Sequence, residues 1–314
     1  MSLAKIIASV ILVISPMAFA DTNETSAVSL ISTQQFPLPP ESLATVYPPG
    51  PLVELDNGQA LMAKFDKNHY QLSSVIATHQ LPRYFTENLP GDLNDLPVQQ
   101  KISVFIRLLL PTIKAVNQQI LQVRTKVIAL SHKPKMHRTE AEQDWLQGLF
   151  DTYGIKSAQI EDLLLQLDII PTGMVLAQGI DESGWGSSHF AIAGNNLYGE
   201  HLPHDGGKYL TTPGGHVKVA AFDNLYQSTA SYIHNLNTTL AYKELRQLRQ
   251  QLRLQNKLTG DELVQSLLHY SSRGQAYVDN LRALIKHHHL DDFDSVKLNS
   301  AESIRYRFAD SGIG

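Results

Sequence analysis

The 314-residue chain contains no cysteine. Disulfides, thiolate nucleophiles, iron–sulfur clusters and zinc–thiolate sites are excluded at once. Charge is sparse as well: 18% of residues are charged, 26 Lys and Arg face 30 Asp and Glu, and the formal net charge is −4. A dedicated nucleic-acid binder needs a basic excess that is missing here, so no nucleic-acid partner is expected. The 19 glycines and 15 prolines are too few for a collagen-like or largely disordered chain. Beyond the N-terminus there is no run of the ~20 apolar residues that a bilayer span requires. What is present, 43% hydrophobic residues, suits a globular protein with one large domain or two modest ones.

Residues 1–20 read as a secretory signal. Lys5 supplies the positive start, Ile6 to Val13 the apolar core, and Ala18-Phe19-Ala20 the small-x-small ending before Asp21. Cleavage after Ala20 removes one base and no acid, leaving a net charge of −5 and no integral span. Export to a periplasm is the expectation.

Residues 21–80 are predicted to be a Pro/Ser-rich extended leader, with Pro37, Pro39, Pro40, Pro48, Pro49 and Pro51. A helical N-terminal region is expected over 81–150. There Ile102, Phe105, Ile106, Leu109 and Ile113 recur at helical spacing, and Pro111 is expected to kink or divide the helix. Further helices are predicted near 139–153, 157–167 and 172–183, the last with Pro171 at its start. Residues 184–222 are glycine-rich, and two β-type runs flank Pro213-Gly214-Gly215, a hairpin signal. Helical patterns return at about 226–237, 241–252, 259–270 and 276–286. The expected fold is mainly α with a small β-hairpin lobe, a catalytic domain over 151–292 and a C-terminal tail over 293–314.

The densest chemistry lies on the 172–183 helix. Val175, Gln178, Gly179 and Glu182 share one face. Gly179 is expected to leave room beside Glu182. Ser183-Gly184 ends the helix, so Glu182 falls in the last turn, where the helix dipole disfavours an anion by only ~0.3–1 kcal/mol. Raising a Glu from about 4.3 to about 6 takes about 2.3 kcal/mol, so burial must supply most of it. Trp185, Phe190 and Tyr198 are the candidate apolar wall. A carboxyl held neutral near pH 7 is what protonating a glycosidic oxygen requires. On physics alone, an ordinary surface Glu at a frayed helix end remains the competing reading.

The run from Ala177 to Gly199, of the form AQxxxESGWGxSxFAxxxNNLYG, resembles the N-acetylglucosaminidase domains of glycoside hydrolase family 73, such as flagellar rod-cap and autolysin glucosaminidases. Phe222-Asp223-Asn224 with Ser228–Tyr232, and the paired tyrosines Tyr270 and Tyr277, resemble later family segments. Leu81–Arg124 looks like the Bax-type periplasmic subgroup. The resemblance implies a lysozyme-like fold and Glu182 as catalytic acid. It also implies Tyr277 near the reacting sugar, assisted by Tyr270, and a site shaped by Trp185, Asn196 and Tyr198. It further implies peptidoglycan glycan strands as partner and cleavage of the β-1,4 bond on the reducing side of N-acetylglucosamine. No cofactor and no metal are expected.

The family's usual second Glu in the β insertion is absent: Leu210-Thr211-Thr212-Pro213-Gly214-Gly215-His216 carries no acid. Glu200 and Asp205 are the nearest candidates for a second carboxylate. Without one, the 2-acetamido oxygen of the substrate can attack its own anomeric carbon, and Glu182 becomes the one indispensable acid. A lytic transglycosylase, a muramidase and a non-hydrolytic peptidoglycan-binding module stay open as alternatives. Tyr226, Tyr232 and Tyr242 read as core. His287-His288-His289 reads as a solvated helix end, and Arg246, Arg249 and Arg253 read as a solvated basic face.

Overall fold

The computed structural model describes residues 36–202, 206–212, 215 and 217–309. The signal-peptide reading of residues 1–20 and the candidate Asp205 therefore lie outside the described residues. The N-terminal part holds β1 (Leu52–Leu55), α1 (Gly58–Lys67), α2 (Leu72–Thr78), β2 (Gln80–Leu81) and β3 (Tyr84–Thr86). The expected extended leader is thus corrected over 52–78. Its prolines stop at Pro51. From Asn57, whose side chain accepts the Ala60 N–H at 2.8 Å, the chain is capped into a helix that buries Leu61 and Phe65. Residues 36–50 are mostly extended but docked: Trp145 Nε1 donates to the Pro37 carbonyl at 3.1 Å.

Val98–Ser131 forms α3, one helix of 34 residues running through Pro111. Proline removes the N–H that would satisfy the carbonyl four residues earlier, that of Arg107. The Tyr70 hydroxyl donates to that carbonyl instead, at 3.0 Å and fully buried. The helix therefore continues where the sequence predicts a kink or break. Its apolar stripe from Val104 to Leu130 is buried.

The remaining helices are α4 (Glu140–Thr152), α5 (Ile160–Gln166), α6 (Thr172–Ser183), α7 (His189–Gly194), α8 (Leu225–Thr238), α9 (Lys243–Leu254), α10 (Gly260–Leu263) and α11 (Gln275–His287). Thr139 and Glu142 cap α4 reciprocally, a local arrangement that fixes its start. Strands β4 (Tyr209–Thr211) and β5 (Lys218–Ala220) pair antiparallel as the predicted hairpin, and His201 bridges to Val219 on the other side of β5. The fold is mainly α, with this hairpin as its small β lobe.

Two expectations are overturned. The tail predicted over 293–314 contains β6 (Lys297–Leu298) and β7 (Ile304–Phe308). β7 is the central strand of a parallel sheet ordered β1-β7-β3, with Tyr306 and Phe308 buried. The two ends of the described chain are thereby locked together. The arginine face of α9 is not solvated either: Arg246 is 5% and Arg249 1% exposed. Arg249 donates to the carbonyls of Leu165, Gln166, Asp168 and Ile169, which close the C-terminal end of α5, and Arg253 grips Asp168 with two nitrogens. Among the described residues the hydrophobic core runs as one cluster from Tyr47 to Phe308, without a break at residue 150.

Candidate active site

Helix α6 is almost wholly interior, buried from Thr172 through Ile180. Gly184, at φ 58, turns the chain out of the helix one residue after Ser183. Glu182 thus sits in the last turn as the sequence predicts, half-buried, on the same face as Gln178.

Three buried side chains line up behind it. The Tyr232 hydroxyl donates to Gln178 Oε1. Gln178 Nε2 donates to the Tyr277 oxygen at 2.9 Å. The Tyr277 hydroxyl donates to Glu182 Oε1 at 2.8 Å. Each donor is fixed by the one before it, so the Tyr277 proton is directed at Glu182. Gln178, Tyr232 and Tyr277 are 0% exposed. Burial is the main influence on Glu182 and raises its pKa; the Tyr277 hydrogen bond opposes it, Asp181 adds to the rise and Arg273 lowers it. Arg273 is itself paired with Asp181 and stands 4.6 Å from the Tyr277 ring centre.

Glu182 opens into a cavity of about 690 Å³. One side is Tyr198, Gly199, Glu200 and His201; the other is Ser231, His234, Asn235, Thr238 and Thr239 from α8 and its exit, with Tyr242, Tyr270 and Ser271. A methyl group at Gly199 would lie 3.3 Å from Glu182 Oε2, and the residue has φ +68. Gly199, not Gly179, keeps the carboxyl clear. Gly179 instead admits the Tyr198 ring, which a Cβ there would meet at 3.5 Å.

The predicted site residues separate into groups. Tyr198 and Tyr270 line the cavity. Their positions are cross-braced: Tyr270 Oη donates to the Tyr198 carbonyl at 3.1 Å and stacks on Tyr277 at 5.5 Å, 3° from parallel. Tyr277 is fully buried and outside the cavity lining, so its expected contact with the sugar is corrected to support of Glu182 from behind. Trp185 is also outside the lining. It packs edge-on against Phe105 at 5.9 Å and His288 at 5.0 Å, because its backbone, at φ 61, turns away from the α6 face that bears Glu182. The apolar wall is therefore tyrosine rather than Trp185 and Phe190.

Asn196 is 2% exposed and serves the loop: its Nδ2 donates to the carbonyls of Glu200 and Ala220 at 2.8 and 2.9 Å, and its Oδ1 accepts the Glu200 N–H at 3.0 Å. It holds Glu200 in place rather than facing a ligand. Glu200 lies in the cavity wall, and burial pushes its carboxyl up to about 8 against a weaker opposing pull from Ser231. Tyr242, read as core, lines the cavity; Tyr226 and Tyr232 are core. Sequence reasoning did not find Ser231, His234 or Tyr242, which carry no local signature and reach the site only through packing.

A half-buried carboxyl with a directed donor, facing a tyrosine-lined cavity, is the equipment of a carbohydrate-cleaving enzyme. The comparisons agree. Residues 157–290 match the Glucosaminidase family model, described as mannosyl-glycoprotein endo-beta-N-acetylglucosaminidase. The protein named Protein bax from Escherichia coli (strain K12) is 31% identical over 187 residues, covering 57% of this chain and 67% of that one. The catalytic domain of the autolysin Auto from Listeria monocytogenes aligns with 55% of this chain and 96% of its own at 16% identity and a TM-score of 0.32, too distant to bear on the site. The chain is a glycoside hydrolase of the endo-β-N-acetylglucosaminidase type. It belongs to the Bax-type group of glycoside hydrolase family 73. No helix among the described residues is long and apolar enough to cross a membrane.

Proposed function

We propose that the chain hydrolyses peptidoglycan at the β-1,4 bond on the reducing side of N-acetylglucosamine, with Glu182 as general acid. The observation that carries this reading is the setting of Glu182: raised by burial, engaged at Oε1 by Tyr277, and free of a side chain at Gly199 beside Oε2. With Oε1 occupied as an acceptor, the transferable proton belongs on Oε2. It passes to the glycosidic oxygen as the C–O bond breaks. The 2-acetamido carbonyl oxygen closes on the anomeric carbon, and Glu182, now ionised, takes a proton from the water that reopens the ring. Tyr277 is a positioning residue in this scheme; the half-buried Tyr270 lies beside the sugar, while Tyr198, buried and stacked on Tyr232 at 4.0 Å, shapes the wall behind it. Peptidoglycan strands are the partner, met in the periplasm after export directed by residues 1–20.

Mass spectrometry of products from purified sacculi tests this. Reducing-end N-acetylglucosamine is expected. Anhydro-muramic ends would make the chain a transglycosylase, reducing-end muramic acid a muramidase, and unchanged sacculi a binding module.

A further inference from the structure

Glu200 differs from every other acid in the cavity wall. Its backbone is pinned on both sides, N–H and carbonyl, by Asn196, and its carbonyl also takes the Ala220 N–H at 3.0 Å. Its carboxyl is held less firmly, with Ser231 as its hydrogen-bonding neighbour. Oε2 is buried and meets no hydrogen-bond partner, and Glu200 forms no ion pair among the described residues. The ionisable groups facing the same cavity are Glu182 from α6, Tyr198 and His201 from its own loop, His234 from α8, and Tyr242 and Tyr270. None is a Lys or Arg. An ionised carboxylate in that position would carry an uncompensated charge, whereas a protonated one needs only an uncharged acceptor.

We propose that Glu200 determines specificity for N-acetylated sugars, acting as a neutral carboxyl that donates its O–H to the acetamido carbonyl oxygen of the bound glycan. No bond is made or broken by it. The inference rests on the reading of this cavity as the glycan site and deepens it. An acetamido oxygen is the strongest uncharged acceptor such a glycan offers, and the donor is rigidly placed, because Asn196 and β5 fix the residue that bears it. A second catalytic carboxylate would need the opposite character, an ionised group able to take a proton or attack carbon.

Binding in a Glu182→Gln background tests this without turnover. The probes are tri-N-acetylchitotriose and its fully de-N-acetylated counterpart, by calorimetry at pH 6. The acetylated trimer is expected to bind about ten- to a hundredfold more tightly, the range for a hydrogen bond lost from a buried partner. Adding Glu200→Gln, whose amide also donates, is expected to keep the preference; adding Glu200→Leu is expected to remove it with the melting temperature little changed. Equal binding of both trimers before Glu200 is altered, or a preference that survives Glu200→Leu, overturns the inference. So does a Glu200→Gln single variant as inactive on sacculi as Glu182→Gln, which would make Glu200 an ionised catalyst. Kinetics add an independent readout. The slope of log kcat/KM should fall from two ionisations to one on the alkaline side in Glu200→Gln, since Glu200 titrates near 8. Full activity of Glu182→Gln would sink the reading of the cavity itself; the trimer outcomes leave that reading standing and decide only Glu200.

Discussion

The two walls of the cavity hold a glutamate each and treat it in opposite ways. On the helical wall, Glu182 has a mobile task and a prepared carboxyl: three buried side chains in series end in a hydroxyl aimed at one of its oxygens. On the loop wall, Glu200 has a fixed backbone and a carboxyl whose buried Oε2 meets no partner. Burial raises both pKa values, and a hydroxyl opposes it at each, Tyr277 at Glu182 and Ser231 at Glu200, but only the Tyr277 hydroxyl is itself held by a buried chain of donors. Support at the side chain marks a group that must cycle between protonation states. A fixed backbone with a buried, unpartnered carboxyl oxygen suits one that stays protonated.

Glu182→Gln should break the comparison most severely. The amide keeps the shape and can still accept from Tyr277, but it has no proton to give, so turnover on sacculi should fall by ~10²–10⁴-fold. The melting temperature should stay close to that of the parent, which thermal unfolding checks. Turnover near the parent's would remove the assignment.

Gly199→Ala acts where the two walls meet. The added methyl would press on Glu182 Oε2 at 3.3 Å and place an L side chain at φ +68. The backbone conformation costs about 1–3 kcal/mol. Displacing the carboxyl should lower kcat by a further tenfold or so, less than removing the acid. Gly179→Ala is the control: its Cβ meets Leu109 and Tyr198, so stability should suffer ahead of the acid's geometry.

Tyr277→Phe tests the support behind Glu182 and should cost about tenfold in kcat. It leaves the buried Gln178 amide unpaired, a loss of about 1–3 kcal/mol in stability. The pH profile separates a positioning role from a purely structural one. The Tyr277 bond stabilises ionised Glu182, so losing it lets the carboxyl keep its proton to higher pH. The alkaline limb should move upward even as the rate falls.

What the sequence made legible was local. Pro171 and Gly184 bound α6, Thr139 with Glu142 starts α4, and two short β-type runs around Pro213 give the hairpin, because each signal lies within a few residues of its effect. Glu182 was legible for the same reason. The failures needed partners far along the chain. Pro111 stays helical because Tyr70, 41 positions earlier, covers an orphaned carbonyl. Ile304–Phe308 alternates apolar and basic residues, yet five residues make a weak strand signal until β1 and β3 flank them. Arg249 reads as surface by its type and is buried because five oxygens from Leu165 to Asn237 receive its nitrogens. Trp185 sits inside the most specific motif of the chain and still points away from the cavity, since motif membership does not fix direction where φ is positive.

The subtlest difference between the walls should appear in stability against pH. Glu200 holds its proton up to about 8 when folded, against about 4.3 for a free Glu in the unfolded chain. The folded state therefore binds the extra proton between those values, and stability from this group is full below about 4.3 and is lost as pH rises through about 8. Glutamine cannot titrate. The parent should lose stability relative to Glu200→Gln across that window, by about 1.4 kcal/mol for each pH unit crossed, read as a melting temperature that falls steadily with pH against the variant's. The comparison between the two proteins matters more than either curve, because Asp291, Asp294 and Glu182 are also raised by burial and tilt both curves alike. A difference that stays flat from pH 5 to 8.5 would mean that Glu200 is ionised in the folded protein, and the contrast between a cycling acid and a resting one would be lost.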